Sequence, residues 1–367
     1  MKNLFSTRHW LTSAIPFTVA LIAVILRLNA GPRIIDDAYI TYRYSRNILA
    51  GNGFVFNPHE RVLGTTTPLY TLLLGLLSLP FGGASADFPL ISYGFNAAID
   101  GATCLLLYQL GKKLHTPLLG IASSLAFALA PFSVTFSIGG LETSLYVFLL
   151  VGICFLYIHQ RFEWASLIAA LAFLTRPDAL ILILPLLVDF TAITFSKLRN
   201  QKARFKSWEF QQFLRVALIF ILPSAAWFLF AYFYFGSLFP NSIAAKALAY
   251  RLPEHSALIR LLQHYATPFS EDLTLGKWGI AMGLILYPSL SLFGGLHLFR
   301  ITKRSLAMVL FPWLYFLAFS LANPLIFRWY LTPPIPFYFL CIFMGFITFW
   351  EQLFQSFLKK SSRLAVF

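Results

Sequence analysis

The chain has 367 residues, of which 58% are hydrophobic and 11% are charged, and its mean hydropathy is +0.73. A water-soluble domain carries roughly 25% charged residues, so this composition excludes a soluble globular protein and indicates a membrane protein. The formal net charge of +14 does not indicate a nucleic-acid partner, because the basic residues form short clusters between apolar runs rather than one stripe.

Ten apolar runs are candidates for membrane-spanning helices. A span needs roughly 20 mostly apolar residues, and fewer where neighbouring helices or a thinner bilayer shorten the distance. The run Pro68–Phe81 is also apolar, but it is brief. The ten candidates are Leu11–Leu28, Phe88–Gly111, Leu118–Thr135, Leu141–Ile158, Trp164–Thr175, Ala179–Phe195, Phe213–Phe235, Trp278–Phe299, Leu306–Ala322 and Tyr330–Trp350.

The basic residues decide whether Pro68–Phe81 crosses the membrane. If it does not cross, more than half of the 28 basic residues fall in cytoplasmic loops, as the positive-inside bias requires. If it crosses, every later basic cluster moves outside. The sequence therefore predicts an all-α polytopic membrane protein with about ten transmembrane helices, both termini in the cytoplasm, and Pro68–Phe81 as an interfacial or re-entrant helix.

This topology makes residues 1–367 a single transmembrane domain with two sizeable outside segments. Residues 29–87 form the first periplasmic loop, which includes the interfacial helix, and residues 236–277 form the second. A transporter would more often place polar residues at the membrane midplane, in paired broken helices of two matching halves. The sequence has no such pair.

The first loop begins with an amphipathic segment, residues 34–49. One side of the helix is apolar and another is polar, which is typical of a helix at the membrane surface whose polar side faces a cavity or water. The apolar side has Ile40, Tyr44 and Ile48, and the polar side has Asp36, Tyr39, Arg43 and Asn47.

Asp36 and Asp37 begin this helix, where the helix dipole favours negative charge. In one interpretation they are only N-terminal residues of the helix. In the other, their position just past the first span is decisive, because adjacent carboxylates at the lipid–water boundary repel each other unless a cation, a metal or a proton is shared. The second interpretation makes them candidate reactive groups.

Several segments together resemble the GT-C fold glycosyltransferases, and most closely the bacterial arabinofuranosyltransferase and mannosyltransferase-like group. In the first loop these segments are Asp36-Asp37-Ala38-Tyr39, Phe54-Val55-Phe56-Asn57-Pro58 and Glu60-Arg61-Val62. Later matches, in chain order, are Gly140-Leu141-Glu142-Thr143, Leu174-Thr175-Arg176-Pro177-Asp178, Tyr234–Asn241 with Lys246, and Phe327-Arg328-Trp329-Tyr330. Thr65, where relatives usually have an aromatic residue, and Trp329, which interrupts a more usual Arg-Tyr pair, depart from the pattern.

The resemblance implies a transferase of the EC 2.4 type that moves a sugar from a polyprenyl-phosphate donor to an extracytoplasmic lipid, glycan or protein acceptor, with inversion. It also implies a multi-pass protein of the inner (plasma) membrane with its active site on the extracytoplasmic face. Asp36 or Asp37 is then the expected base for the acceptor hydroxyl, and a carboxylate there also stabilises an oxocarbenium-like transition state. The alternative function is a transporter or flippase of a lipid-linked sugar, without chemistry.

A departing phosphate needs cations, and the resemblance assigns this role to Arg176, Lys246 and Arg328. The alternative for each is a side chain that reaches the lipid headgroups without binding the donor, and Arg176 has a further alternative in pairing with Asp178. The candidate substrate-binding residues are Tyr39, Arg43, His59, Glu142 and Tyr330.

Two of these have ordinary alternatives, since Glu142 can simply begin a helix and His59 can be a plain loop residue. No cofactor is certain. A divalent metal ion would need Asp36, Asp37 and His59 to converge, so the metal ligands stay unassigned. Asp100, in the middle of a predicted span, is expected either to form a structural hydrogen bond within the bundle or to line a path for protons or polar substrate.

Overall fold

A computed structural model describes residues 2–200, 208–242, 252–270, 274 and 276–364. These residues form fourteen α-helices joined by turns, and no strand occurs among them. The helices are α1 (Lys2–Ala30), α2 (Asp36–Leu49), α3 (Pro68–Ser78), α4 (Phe88–Leu114), α5 (Pro117–Leu129), α6 (Pro131–Ser137), α7 (Thr143–Ile158), α8 (Phe162–Thr175), α9 (Leu180–Asn200), α10 (Trp208–Phe235), α11 (Ser256–Ala266), α12 (Gly276–Ile301), α13 (Leu306–Ala322) and α14 (Ile335–Leu364).

Six helices of the described residues are long and apolar enough to cross a membrane, and the bent pair α5–α6 is a seventh candidate. The six are α4, α9, α10, α12, α13 and α14, some of them together with the short turn that precedes the helix. The remaining predicted spans fall on shorter apolar helices: the part of α1 from Ala14 onwards, α7 and α8. The chain is therefore a multi-pass membrane protein, while the total of about ten crossings stays a prediction.

The helix directions separate the end of the bundle that carries α2 from the end that carries clusters of lysine. Helix α4 starts beside the first loop and has Lys112 and Lys113 in its last turn. Helix α7 runs the same way from Glu142, and α8 returns from Arg161. We call the end that carries α2 and Glu142 the loop end, and its separation from the lysines agrees with the predicted topology.

The residues before and after helix α3 both contact α2, at the loop end. At its start, the hydroxyl of Thr67 lies 3.4 Å from that of Thr41 in α2. At its other side, the turn Gly83–Ser85 also packs against α2. Because both ends meet the same helix, Pro68–Phe81 has the geometry expected of an interfacial or re-entrant segment.

The predicted span Leu118–Thr135 is broken, since α5 and α6 meet at an angle of 56°. Pro131 causes the break: it has no N–H for the carbonyl of Phe127, and it disfavours helical backbone at the residue before it. The hydroxyl of Ser133 donates to the Phe127 carbonyl instead. Arg27 of α1 donates to the next carbonyl, that of Ala128, at 3.0 Å.

Arg27 also pairs with Asp100 inside the bundle, where both side chains are buried. The guanidinium further donates to the Ala23 carbonyl at 3.0 Å and to Ser133 Oγ. A buried charge is tolerated in a membrane protein when it is paired and hydrogen-bonded in this way. Of the two alternatives for Asp100, the structure has the structural bond, with Arg27 as a partner that sequence analysis missed.

Candidate functional site

Helix α2 buries a wider face than its sequence pattern predicts. Asp36, Tyr39 and Arg43 are exposed as expected. Asn47, expected beside them, is buried, and its amide donates to the carbonyls of Val55 and Phe56 at 2.9 Å each, which holds the turn after α2. The buried residues are Ala38, Thr41, Tyr42, Tyr44, Ser45 and Asn47.

The two adjacent carboxylates at the head of α2 lie in different surroundings. Asp36 is exposed, and its Oδ1 accepts a hydrogen bond from the Asp37 amide at 3.0 Å. Asp37 is half-buried, and its charge acts on Glu142. Asp36 therefore faces an open side of the loop end, and Asp37 faces an enclosed side.

The chain before α2 is fixed to the turn before α7 by backbone hydrogen bonds. The amide of Arg33 donates to the carbonyl of Ile138 at 3.1 Å, and that of Ile35 donates to Gly139 at 3.0 Å. These bonds hold the start of α2 beside Glu142, although more than a hundred residues separate the two segments along the chain.

Gly140 of that turn lies against Tyr42 of α2. Its φ is +77°, and a Cβ at this position would lie 2.0 Å from the Tyr42 hydroxyl. Tyr42 and Tyr70 both donate to the Gly140 carbonyl, at 3.3 and 3.2 Å. Asn96 of α4 donates to the carbonyls of Ser137 and Leu141, so the turn is held from three helices.

Arg176 is the centre of a buried polar cluster on the enclosed side, and the residue is only 4% exposed. Two guanidinium nitrogens pair with the two oxygens of Asp178 at 3.0 and 3.1 Å, and a third lies 3.4 Å from Glu142. The rings of Tyr146 and Tyr330 lie 5.1 and 4.7 Å from its carbon Cζ. We call these five residues the Arg176 cluster.

The carboxylates of the Arg176 cluster offset the charge of its arginine. One guanidinium faces two carboxylates, with Asp37 close by. Burial raises the pKa of Glu142 above its ordinary value, which favours the neutral form, and the charge of Arg176 opposes that rise. Asp178 alone matches the single arginine in charge, so the cluster has little positive charge left for a phosphate.

The open side of Asp36 is a cleft of about 760 Å³ between α2, the turn after it and the start of α4, and both charged and apolar side chains line it. Its volume lies within the range of roughly 300–1,000 Å³ that is usual for small-molecule sites. We call it the α2 cleft. The lining residues are Asp36, Tyr39, Ile40, Tyr42, Arg43, Arg46, Asn47, Phe56, Pro58, Ala86, Asp87 and Pro89.

The remaining candidate residues lie in several places. Arg328 is exposed, at the start of the turn Arg328–Leu331 that also carries Tyr330. His59 is exposed, with a left-handed backbone φ of 71°. Lys246 lies outside the described residues. Within the described part of the chain, no group of three or more His, Cys, Asp or Glu side chains is arranged to hold a metal ion, so His59 does not join the two aspartates.

Comparison with known proteins identifies the fold. No protein-family model matches the chain. The terminal β-(1→2)-arabinofuranosyltransferase of Mycobacterium tuberculosis is 29% identical over 135 residues, which are 35% of this chain and 22% of that protein. Among solved structures, ArnT from Cupriavidus metallidurans, bound to undecaprenyl phosphate, matches with a TM-score of 0.61 and 14% identity over 91% of this chain and 59% of ArnT.

The apo oligosaccharyltransferase of Archaeoglobus fulgidus matches similarly, with a TM-score of 0.59 and 13% identity over 96% of this chain and 52% of that chain. The bundle thus has the GT-C glycosyltransferase fold that the sequence motifs predicted. The chain spans 59% and 52% of these two structures and a smaller part of the mycobacterial protein.

Proposed function

We propose that this chain is a glycosyltransferase that moves a sugar from a polyprenyl-phosphate donor to an extracytoplasmic acceptor. One observation carries the proposal: in a GT-C bundle, an exposed carboxylate at the head of α2, Asp36, opens onto a cleft at the loop end that also holds Arg43, Arg46 and Asp87. The ArnT structure holds undecaprenyl phosphate, and the mycobacterial relative is named as an arabinofuranosyltransferase, which supports a lipid-phosphate donor.

In the proposed reaction, the acceptor hydroxyl oxygen attacks the anomeric carbon of the donor sugar. Asp36 takes the hydroxyl proton as the new C–O bond forms. The bond between the anomeric carbon and the phosphate oxygen breaks, and its electron pair leaves with the phosphate. Attack from the face opposite the phosphate inverts the anomeric centre, and the charge of Asp37 stabilises the oxocarbenium-like transition state.

The leaving phosphate is anionic and needs no proton, but it needs positive charge. Arg328 is placed for this role because it is exposed at the loop end and its turn is tied to the bundle through Tyr330 and Arg176. Arg176 itself is compensated by Glu142 and Asp178, so we assign it mainly to holding that turn. Lys246 is a further candidate for phosphate binding. We place the site on the extracytoplasmic face of the inner (plasma) membrane.

Purified chain in lipid nanodiscs, supplied with a panel of undecaprenyl-phosphate-linked sugars and glycan, lipid or peptide acceptors, tests the proposal. We expect release of undecaprenyl phosphate together with a glycosylated acceptor. Arg328→Ala should raise the KM for the donor more than that for the acceptor, because only the donor carries the phosphate.

The same preparation in sealed vesicles tests the flippase alternative. Movement of an intact lipid-linked sugar across the bilayer, with no product formed and with no effect of Asp36→Asn, would replace the enzyme by a transporter.

A further inference from the structure

The charged residues of the α2 cleft form a balanced set. Arg43 and Arg46 carry two positive charges, and Asp36 and Asp87 carry two negative ones. A ligand with a net charge would therefore meet repulsion as well as attraction in this space. A neutral ligand with many hydroxyl groups can use these charged side chains as hydrogen-bond donors and acceptors without net repulsion.

Aromatic rings line the same space. Tyr39 is 54% exposed, and its ring packs edge-on against Tyr42 with ring centroids 5.4 Å apart. Phe56 also lines the cleft, beneath the guanidinium of Arg43 at 4.6 Å. A large, exposed aromatic ring at the wall of a cleft that also carries charged side chains gives a flat apolar surface, which suits the C–H face of a sugar ring.

Two polar side chains of the cleft are already held in place by the protein. Arg43 donates to the Phe56 carbonyl at 2.8 Å and to the Asn57 side chain at 2.9 Å. Asp87 caps α4 by accepting from the Leu90 amide at 3.0 Å through Oδ1. Groups that are fixed before the ligand arrives lose little entropy on binding, so they favour a defined ligand orientation.

Arg46 differs from Arg43. Its guanidinium lies 5.6 Å from the Phe88 ring centroid, and it makes no hydrogen bond or ion pair with the described residues. Its donors are therefore available to a ligand, on the same wall as Asp36.

We propose that the α2 cleft binds a neutral, polyhydroxylated glycan as the acceptor, with the ring of Tyr39 against a sugar face. Arg46 donates to sugar hydroxyls, Asp87 accepts from them, and Asp36 faces the hydroxyl that reacts. The transfer step rests on the proposed function, whereas the binding does not require it.

Binding is measured on the full chain in nanodiscs without any donor, by titration with a neutral manno-oligosaccharide and with an oligogalacturonate of similar length. We expect the neutral sugar to bind more tightly. Tyr39→Ala should weaken its binding about ten-fold, and Tyr39→Phe should bind like the unchanged chain, because the ring is kept.

Substitutions that remove one charged side chain test whether the balance of positive and negative charge in the α2 cleft selects a neutral ligand. Asp87→Asn keeps the cap on α4, because asparagine is an equally good capping residue, but leaves the cleft net positive. It should improve oligogalacturonate binding several-fold, while Arg46→Gln should weaken it further. Arg61→Gln is the matched control, because Arg61 lies over Tyr234 and does not line the cleft.

Tighter binding of the acidic sugar by the unchanged chain, or neutral-sugar binding that is indifferent to Tyr39→Ala, would overturn the proposal. Glycan binding with no transfer from any undecaprenyl-phosphate sugar would instead refute the enzyme and leave the cleft assignment standing. If the chain transfers sugar but the Tyr39 and Asp87 variants keep the acceptor KM of the unchanged chain, the cleft assignment is refuted and the enzyme stands.

Discussion

Adding a single methyl group at Gly140 should disable the loop end. Gly140→Ala brings a Cβ within 2.0 Å of the Tyr42 hydroxyl and places a non-glycine residue at φ +77°. The left-handed backbone costs roughly 1–2 kcal/mol. The displaced hydroxyl loses its bonds to Ser92 and to the Gly140 carbonyl, at roughly 0.5–1.5 kcal/mol each. The total is roughly 2–5 kcal/mol.

Because Tyr42 belongs to the helix that starts with Asp36, the disturbance reaches the proposed base. A displacement of about 1 Å can cost on the order of a hundred-fold in rate. The assays are the midpoint of thermal unfolding in detergent and the transfer rate. We expect a lower midpoint and a transfer rate reduced about a hundred-fold.

Gly51→Ala is the control, because Gly51 has φ +79° but no atom within 4 Å of the added Cβ. It should show the backbone cost alone. Adding Tyr42→Phe to Gly140→Ala removes the clashing atom and should recover part of the lost activity. If Gly140→Ala behaves like Gly51→Ala in both assays, the contact does not position α2 and the reasoning is refuted.

Three further predictions follow from the same structure. Asp36→Asn should lower transfer by roughly 10²–10⁴-fold with normal membrane insertion, and turnover that persists would place the base elsewhere. Arg27→Gln or Asp100→Asn alone should each destabilise the bundle by roughly 3–5 kcal/mol in chemical or thermal unfolding, while exchanging both for apolar residues should restore much of the loss. A single cysteine at the exposed position Glu60 should label with a membrane-impermeant thiol reagent from outside and one at Lys113 should not, since the native cysteines are buried; labelling of 113 from outside would reverse the topology.

Much of the architecture is predictable because it depends on local composition. The apolar runs and the start of α2 at Asp36 follow from periodicity and charge placement, and the described part of the chain has helices at these places. Pro131 is the sequence feature that indicates a break between α5 and α6. A proline predicts neither the angle of the break nor which side chain bonds the carbonyl that it leaves without a donor.

The pairing of Arg27 with Asp100 is a tertiary contact that the sequence does not predict. Each is an ionisable residue in an apolar run, which is a signal that it has a partner. Which partner it has depends on the relative height and rotation of α1 and α4, and that is set by packing along both helices rather than by either segment.

The sequence by itself determined that the chain is a helical membrane protein, where its clusters of basic residues lie between the apolar runs, and that Asp36 and Asp37 begin a surface helix, because each of these depends on residues close together along the chain. Only the tertiary structure decided that Asp36 opens onto the α2 cleft while Asp37 and Glu142 lie together near a compensated Arg176. The cleft is lined by residues 36–89, and Glu142 follows Asp37 by more than a hundred residues, so the burial and nearby charges that control each carboxylate exist only once these segments have packed.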